Sequence, residues 1–266
     1  SSFTRRVLYA QMKYLVTSGC SFSKPGDFTN GTSQDPTTWP EHLALTLKTN
    51  QNVHLGVSSN GQELISRKLI QTINKLLKTT EPNDILVGIM WSTCDRRQFY
   101  IPNGYDKKHL LEPNPSPDNP HRWPEEDTQG KWHLQNVGFI NKFADTYYRN
   151  IFDTTQSIVN SYEHVLRTQW FLKLHNIKYF MSTINEYSFE GDWENSAQID
   201  YLKDMVDWNK FLPAQLPWIK QHTAQWSKDE YYHPNPPQHK EYVHKVILPY
   251  LYQSYGIKKC LKPSKK

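Results

Sequence analysis

Short apolar runs recur along the chain and predict a series of buried strands. They lie at residues 12–17, 52–56, 85–91 and 177–183. The run at residues 85–91 contains no polar side chain, which is typical of a central strand in a parallel sheet, because helices cover both faces of such a strand. This pattern predicts a mostly parallel sheet with residues 85–91 near its middle.

Apolar residues between these runs recur with the spacing of helices. In residues 61–77, leucine and isoleucine fall on one side of the predicted helix. Residues 139–175 are expected to form one long helix or two with a break, and Pro213 and Pro217 mark a loop. The other predicted helices lie at residues 39–47, 201–208 and 239–252. Strands that alternate with helices predict an α/β protein, a three-layer α/β/α sandwich around a mostly parallel sheet.

A polar, proline-rich segment at about residues 101–135 follows the third predicted strand. It is predicted to be an insertion with little regular structure, and loops of this length are usually functional or disordered. Its aromatic residues, Tyr105, Trp123 and Trp132, favour an ordered lid. We expect one domain over residues 12–257, with residues 1–11 and 258–266 as tails.

Two short motifs near opposite ends of the chain carry the candidate chemistry. Ser21 stands just past the first apolar run, and His233 follows closely behind Asp229 and Glu230. Serine catalysis needs a hydroxyl nucleophile, a base that takes its proton and an acid that orients the base. Such triads occur in several chain orders, so a fold can assemble one from distant residues. The neighbouring serines at positions 18 and 23 are weaker candidates.

The sequence around both motifs resembles the SGNH (GDSL-type) hydrolases. That family places its nucleophile in a Gly-Asp-Ser-type motif after the first strand, and residues 19–23 (Gly-Cys-Ser-Phe-Ser) resemble it, with Cys20 at the usual aspartate position. The family's acid and base form an Asp-x-x-His motif, often followed by proline, which residues 233–235 (His-Pro-Asn) resemble. The family spacing falls on Glu230, whereas Asp229 is the more usual residue type, so both remain candidates for the acid. The resemblance implies a flavodoxin-like SGNH hydrolase fold and ester hydrolysis through an acyl-serine.

The resemblance also implies donors for the oxyanion that develops during acyl transfer. The family uses the serine's own N–H, a glycine N–H in a second block and an asparagine side chain in a third. Residues 55–61 resemble the second block, and residues 88–93 stand in place of the third but lack its asparagine. Other residues of these two segments are therefore expected to donate instead. The predicted oxyanion and substrate-binding residues are Ser59, Asn60, Trp91, Ser92 and Thr93.

The net charge of +5 is concentrated in two terminal segments. Residues 1–11 contain two arginines and residues 258–266 contain five lysines, and neither segment contains an acid; the remaining chain has 24 Lys and Arg against 26 Asp and Glu. This distribution argues against a nucleic-acid groove, which needs clustered positive charge on a folded face. No apolar run approaches the length of a membrane span and no secretory signal is recognised, so no membrane association is expected. The three cysteines fit a reducing compartment, and we expect a cytoplasmic location.

The sequence predicts neither a metal nor a cofactor. His109, His121 and His133 lie in the insertion without tight ligand spacing, and no glycine-rich phosphate loop is present. Aromatic residues make up 14% of the chain and suit a small-molecule or glycan ester, with a carbohydrate O-acetyl ester favoured. The alternative is a protein of the same fold with weakened catalysis that binds glycans or serves in assembly. The sequence gives no oligomeric state.

Overall fold

The computed structural model describes residues 12–25, 36–102, 130–135, 142–185, 189, 196–223 and 233–257. Its strands are β1 (Tyr14–Ser18), β2 (Gln51–His54), β3 (Ile85–Trp91), β4 (Arg97–Pro102), β5 (Gly130–Gln135) and β6 (Lys178–Thr183). Its helices are α1 (Trp39–Leu47), α2 (Gln62–Leu76), α3 (Lys142–Asn150), α4 (Thr154–Leu174), α5 (Ala197–Asp204), α6 (Gln215–His222), α7 (Pro236–Tyr242) and α8 (Leu248–Tyr255). A π-helical turn, Val243–Ile247, joins α7 to α8.

Four parallel strands form the central sheet in the order β2-β1-β3-β6. All seven residues of β3 are buried, as its apolar sequence predicts. Because the strands are parallel, their carboxyl ends share one edge of the sheet, and the loops that follow β1, β2 and β3 meet there. This edge is where ligands bind in open α/β sheets.

Helices cover both faces of this sheet. On one face, side chains such as Val16, Val87 and Met181 pack against α2, α4 and α5. On the other face, Leu15 and Phe180 pack against α1 and against the segment from α7 to α8. The predicted α/β class and three-layer sandwich are therefore confirmed.

Most predicted elements appear close to their expected positions. Residues 139–175 form two helices with a break, α3 and α4, and β2 and β6 lie where short strands were predicted. Helix α5 begins and ends about four residues before its predicted position. The C-terminal helix begins earlier and ends later than predicted, and Asn235 caps it by accepting from the Gln238 N–H.

Two predictions are wrong. The segment at residues 101–135 was expected to have little regular structure, and this is wrong at its two ends, which belong to strands β4 and β5 of an antiparallel ribbon; residues 103–129 lie outside the described residues. Residues 213–217 were expected to form a loop, but Pro217 lies inside α6. A proline in the first turn removes no helical hydrogen bond, so it does not stop a helix from forming there. Within the described residues, no helix combines the length and apolarity needed to cross a membrane.

Candidate active site

Ser21 lies at the start of a short turn beyond β1. The strand ends at Ser18, Cys20 continues in an extended conformation, and a 3-10 turn spans Ser21–Ser23. The turn is closed by the Ser23 N–H, which donates to the Cys20 carbonyl at 2.9 Å. Ser21 is 9% exposed. The chain thus places this hydroxyl just inside the surface at the carboxyl end of a central strand.

His233 meets Ser21 across 212 positions of the chain. The Ser21 Oγ and His233 Nε2 atoms are 2.8 Å apart, within hydrogen-bond range. Phe22 packs against the imidazole, with ring centroids 4.6 Å apart and planes inclined by 38°. The two residues named by the terminal motifs are therefore direct neighbours in the fold.

The direction of the hydrogen bond between Ser21 and His233 determines whether the imidazole can act as a base. When Nε2 accepts the hydroxyl proton, the imidazole carries its own proton on Nδ1, which is the arrangement of a general base. The Nδ1 atom of His233 is buried. Asp229 and Glu230, the two candidates for the orienting acid, lie outside the described residues. The choice between them stays a prediction.

The neighbouring serines and Cys20 have other surroundings. The Ser18 hydroxyl donates to the Ile65 carbonyl at 3.3 Å, and the Ser23 hydroxyl accepts from the Trp39 indole N–H at 2.9 Å. Cys20 is fully buried among apolar residues. Ser21 is thus the residue of this segment whose hydroxyl faces an imidazole.

The loop after β2 packs directly on the Ser21 segment. The Gly19 carbonyl accepts hydrogen bonds from the Val57 N–H at 3.3 Å and from Asn60 Nδ2 at 3.1 Å. Gly56 lies so close that a Cβ atom there would stand 2.5 Å from the Ser23 carbonyl oxygen. Because that neighbour is backbone, a side chain at position 56 would displace one of the two loops. Gly56 therefore allows the loops to meet.

Backbone N–H groups near Ser21 are the candidate oxyanion donors. In the described part of the chain, the N–H groups of Ser21 and Ser59 have no acceptor. Ser59 adopts a left-handed conformation with φ 61°. The Asn60 N–H instead donates to the Val57 carbonyl at 3.1 Å. Of the two second-block positions predicted, Ser59 has a backbone N–H without an acceptor among the described residues, whereas the Asn60 amide is fully buried and donates to the Gly19 carbonyl.

The segment after β3 is held by a glutamine. Gln62 Oε1 accepts from the Ser92 N–H at 3.1 Å, and Gln62 Nε2 donates to the Ser92 carbonyl at 2.5 Å. Ser92 Oγ is buried and has no partner within the described residues. Thr93 is half-buried beside it. Sequence reasoning missed Gln62, whose only signal is an amide at the first position of α2.

Trp91 lies in the core. It is fully buried, and its indole N–H points to Met181 Sδ at 3.4 Å. A side chain in this position supports β3 and offers no surface to a substrate. The predicted lid falls mostly on residues 103–129, outside the described part of the chain.

Two further histidines are buried nearby, and His239 interacts electrostatically with both His233 and His42. His239 is fully buried, and its Nδ1 atom lies 2.9 Å from Gln215 Nε2. Burial, with smaller contributions from His42 and His233, lowers the pKa of His239 to about 3. Burial likewise lowers the pKa of His42. Both are neutral at pH 7, so neither repels a positive charge that develops on His233.

No group of three or more described His, Cys, Asp or Glu residues is arranged to hold a metal ion. Of the histidines considered for a metal, His109 and His121 fall outside the described residues.

One protein family matches most of this chain. Residues 25–260 match a family described as "Family of unknown function (DUF6071)", and because the match covers most of the chain, the protein belongs to that family. The match includes His233 and begins just after Ser21. No curated protein and no solved structure matches the chain.

Proposed function

We propose that this protein is a serine hydrolase of the SGNH type that cleaves an ester through an acyl-serine intermediate. The observation that carries the proposal is the 2.8 Å contact between Ser21 Oγ and His233 Nε2. It supports the proposal because the two residues come from opposite ends of the chain and meet at the sheet edge where ligands bind in α/β folds.

In the proposed reaction, Ser21 Oγ attacks the ester carbonyl carbon while its proton passes to His233 Nε2. The resulting oxyanion is stabilised by the backbone N–H groups of Ser21 and Ser59. The C–O bond to the alcohol then breaks, and the alcohol oxygen takes the proton from His233. Water attacks the acyl-serine with His233 again as base, which releases the carboxylic acid and frees Ser21.

The surroundings of His233 support its role as base. Phe22 restricts the imidazole to one side, which limits its rotation away from Ser21. His239, which interacts electrostatically with His233, is neutral and therefore does not oppose protonation of His233. Asp229 or Glu230 is proposed to supply the compensating negative charge.

An aromatic-lined cavity supports a small-molecule or glycan ester as substrate. The cavity has a volume of about 340 Å³ and lies where β6 ends at Thr183. Trp208 and Trp218 are among its lining residues. None of the described candidate active-site residues lines this cavity, and one face of Trp218 is stacked on His222. The cavity is proposed to hold the sugar or alcohol part of a carbohydrate O-acetyl ester. We propose a cytoplasmic location because the chain has few cysteines, and Cys20 and Cys94 are free and buried.

Two substitutions test the proposal with a chromogenic acetyl ester. Ser21→Ala and His233→Ala should each lower kcat by about 10³-fold or more, and the double variant should be little worse, because members of such a dyad act as a unit. Ser254→Ala, which removes an exposed hydroxyl on α8, serves as the matched control and should keep full activity. Circular dichroism checks that all variants fold. Substantial turnover by folded Ser21→Ala contradicts the mechanism, and wild-type protein that binds glycans without hydrolysing esters supports the non-catalytic alternative.

A further inference from the structure

Asn60 is fully buried and joins three segments at the carboxyl edge of the sheet. Its side-chain Nδ2 donates to the Gly19 carbonyl at 3.1 Å, in the segment that leads to Ser21. Its backbone N–H donates to the Val57 carbonyl at 3.1 Å, and its own carbonyl accepts from Arg96 Nη1 at 3.4 Å. The segments that follow β1, β2 and β3 are thus bound to a single residue.

The bond between the Asn60 N–H and the Val57 carbonyl closes a four-residue turn. Its third residue, Ser59, has a φ of 61°, whereas the φ of Ser58 is negative. This combination occurs in type II turns, which usually have glycine or asparagine at the third position. A serine there needs support from its surroundings, because its Cβ crowds the backbone in the left-handed region.

The conformation of this turn determines where the Ser59 N–H points. Rotation about φ turns the peptide plane that contains this N–H relative to the residues that follow, and the N–H has no acceptor among the described residues. Together with the Ser21 N–H, it is one of the two backbone donors proposed for the oxyanion. A return of Ser59 to a negative φ would therefore turn this donor away from its present direction.

Asn60 holds the turn against the segment that contains Ser21. The Gly19 carbonyl that accepts from its amide lies two residues before Ser21, and the same carbonyl accepts from the Val57 N–H at 3.3 Å. The next residue, Gly61, packs so tightly on the segment after β3 that an added Cβ would stand 2.6 Å from a backbone carbonyl oxygen. The buried amide therefore links a turn that is fixed at its far end to the backbone that carries the candidate nucleophile.

We propose that Asn60 is a positioning residue of the candidate active site, which holds the N–H groups of Ser21 and Ser59 at a fixed separation. The inference rests on the proposed function. The Asn60 side chain does not bind the oxyanion, because its amide is buried and donates to the Gly19 carbonyl. It acts through the placement of the Ser59 N–H, so its contribution is made when charge develops on the ester oxygen in the transition state.

Steady-state kinetics of Asn60→Ala with a chromogenic acetyl ester tests this role. The substitution should lower kcat tenfold or more and change KM less than twofold, because a displaced donor affects the transition state and not the bound ester. Asn150→Ala is the matched control, since it removes an exposed amide that also donates to a backbone carbonyl, that of Thr146 on α3. This control should keep the wild-type kcat and KM. An unchanged kcat in folded Asn60→Ala overturns the proposal.

A glycine at position 59 separates positioning from general stabilisation of the fold. Glycine adopts a positive φ without strain and keeps the backbone N–H. Ser59→Gly added to Asn60→Ala should therefore raise kcat at least fivefold over Asn60→Ala alone. A residue that only stabilises the fold would show no such rescue, so equal kcat values in the single and double variants overturn the proposal.

Arg96→Gln covers the case in which Asn60→Ala fails to fold, as judged by circular dichroism. The Arg96 side chain is half-buried, and its replacement removes the hydrogen bond to the Asn60 carbonyl. The value of kcat should fall at least threefold with KM unchanged, and an unchanged kcat overturns the proposal. Failure of the proposed function is recognised separately, because Ser21→Ala then keeps wild-type turnover and both proposals fall. Failure of this inference alone leaves hydrolysis that depends on Ser21 but not on Asn60.

Discussion

Mild acid should destabilise this protein through His239. The imidazole is fully buried, its Nδ1 accepts from Gln215 Nε2, and its Nε2 has no partner within the described residues. Burial, followed by His42 and His233, lowers the pKa to about 3. Protonation of His239 would bury a positive charge beside His42 and His233, neither of which can carry a compensating negative charge.

The sign and the magnitude of the effect follow from linkage. A histidine in the unfolded chain has a pKa of about 6.5, so below this pH the unfolded state binds a proton that the folded state does not. Stability is therefore lost as the pH falls below about 6.5, and the loss continues down to about pH 3. A pH of 5.0 lies about 1.5 units below the pKa of histidine in the unfolded chain, which corresponds to a loss of about 2 kcal/mol in the free energy of unfolding.

Urea unfolding at pH 7.5 and pH 5.0 measures this loss. The wild-type free energy of unfolding should fall by about 2 kcal/mol more than that of His239→Gln, because the amide does not titrate. His222→Gln, which removes an exposed imidazole at the end of α6, is measured alongside as the matched control. Equal losses in the wild type and in His239→Gln would refute the reasoning, whatever the baseline stability of the variant.

Two further predictions concern the site. Of Asp229→Asn and Glu230→Gln, the variant that removes the true partner should lower kcat by about 10³-fold or more, because His233 loses its orientation and compensating charge; full activity in both would remove these acids from the mechanism. Gly56→Ala should lower ester hydrolysis at least tenfold, because its Cβ would meet the Ser23 carbonyl at 2.5 Å. The control Gly256→Ala meets no atom within 4 Å and should cost only about 1 kcal/mol of stability through its left-handed φ of 66°. Equal activity in the two glycine variants would show that the loops tolerate the displacement.

Local patterns predict the central part of the fold well. The apolar run of β3 requires burial on both faces, and the one-sided apolar residues of α2 require packing against a sheet, so both elements follow from sequence. The contact between Ser21 and His233 also follows from the sequence, because strand β1 and the capped helix α7 bring the two motifs to the same edge of the sheet. These features depend on neighbouring residues or on rules that hold for the whole fold class.

The remaining features depend on contacts between distant residues. The β4–β5 ribbon pairs residues that are 28 to 38 positions apart in the chain, so its pairing is not set by neighbouring residues. The two hydrogen bonds between the Gln62 amide and the Ser92 backbone depend on how α2 packs against the segment that follows β3. The depressed pKa of His239 arises from burial against other elements and not from its neighbours in sequence. Features that depend on tertiary packing, such as these contacts and the pKa of a buried histidine, therefore cannot be predicted from local sequence.

The most direct test of the central claim is covalent trapping of the nucleophile. The protein is incubated with a fluorophosphonate, which reacts with activated serine hydroxyls, and the modified residue is located by peptide mass spectrometry. We predict stoichiometric labelling of Ser21 in the wild type and loss of the label in His233→Ala, because the hydroxyl is activated only while the imidazole accepts its proton. No label on Ser21, or undiminished labelling in folded His233→Ala, would contradict the account.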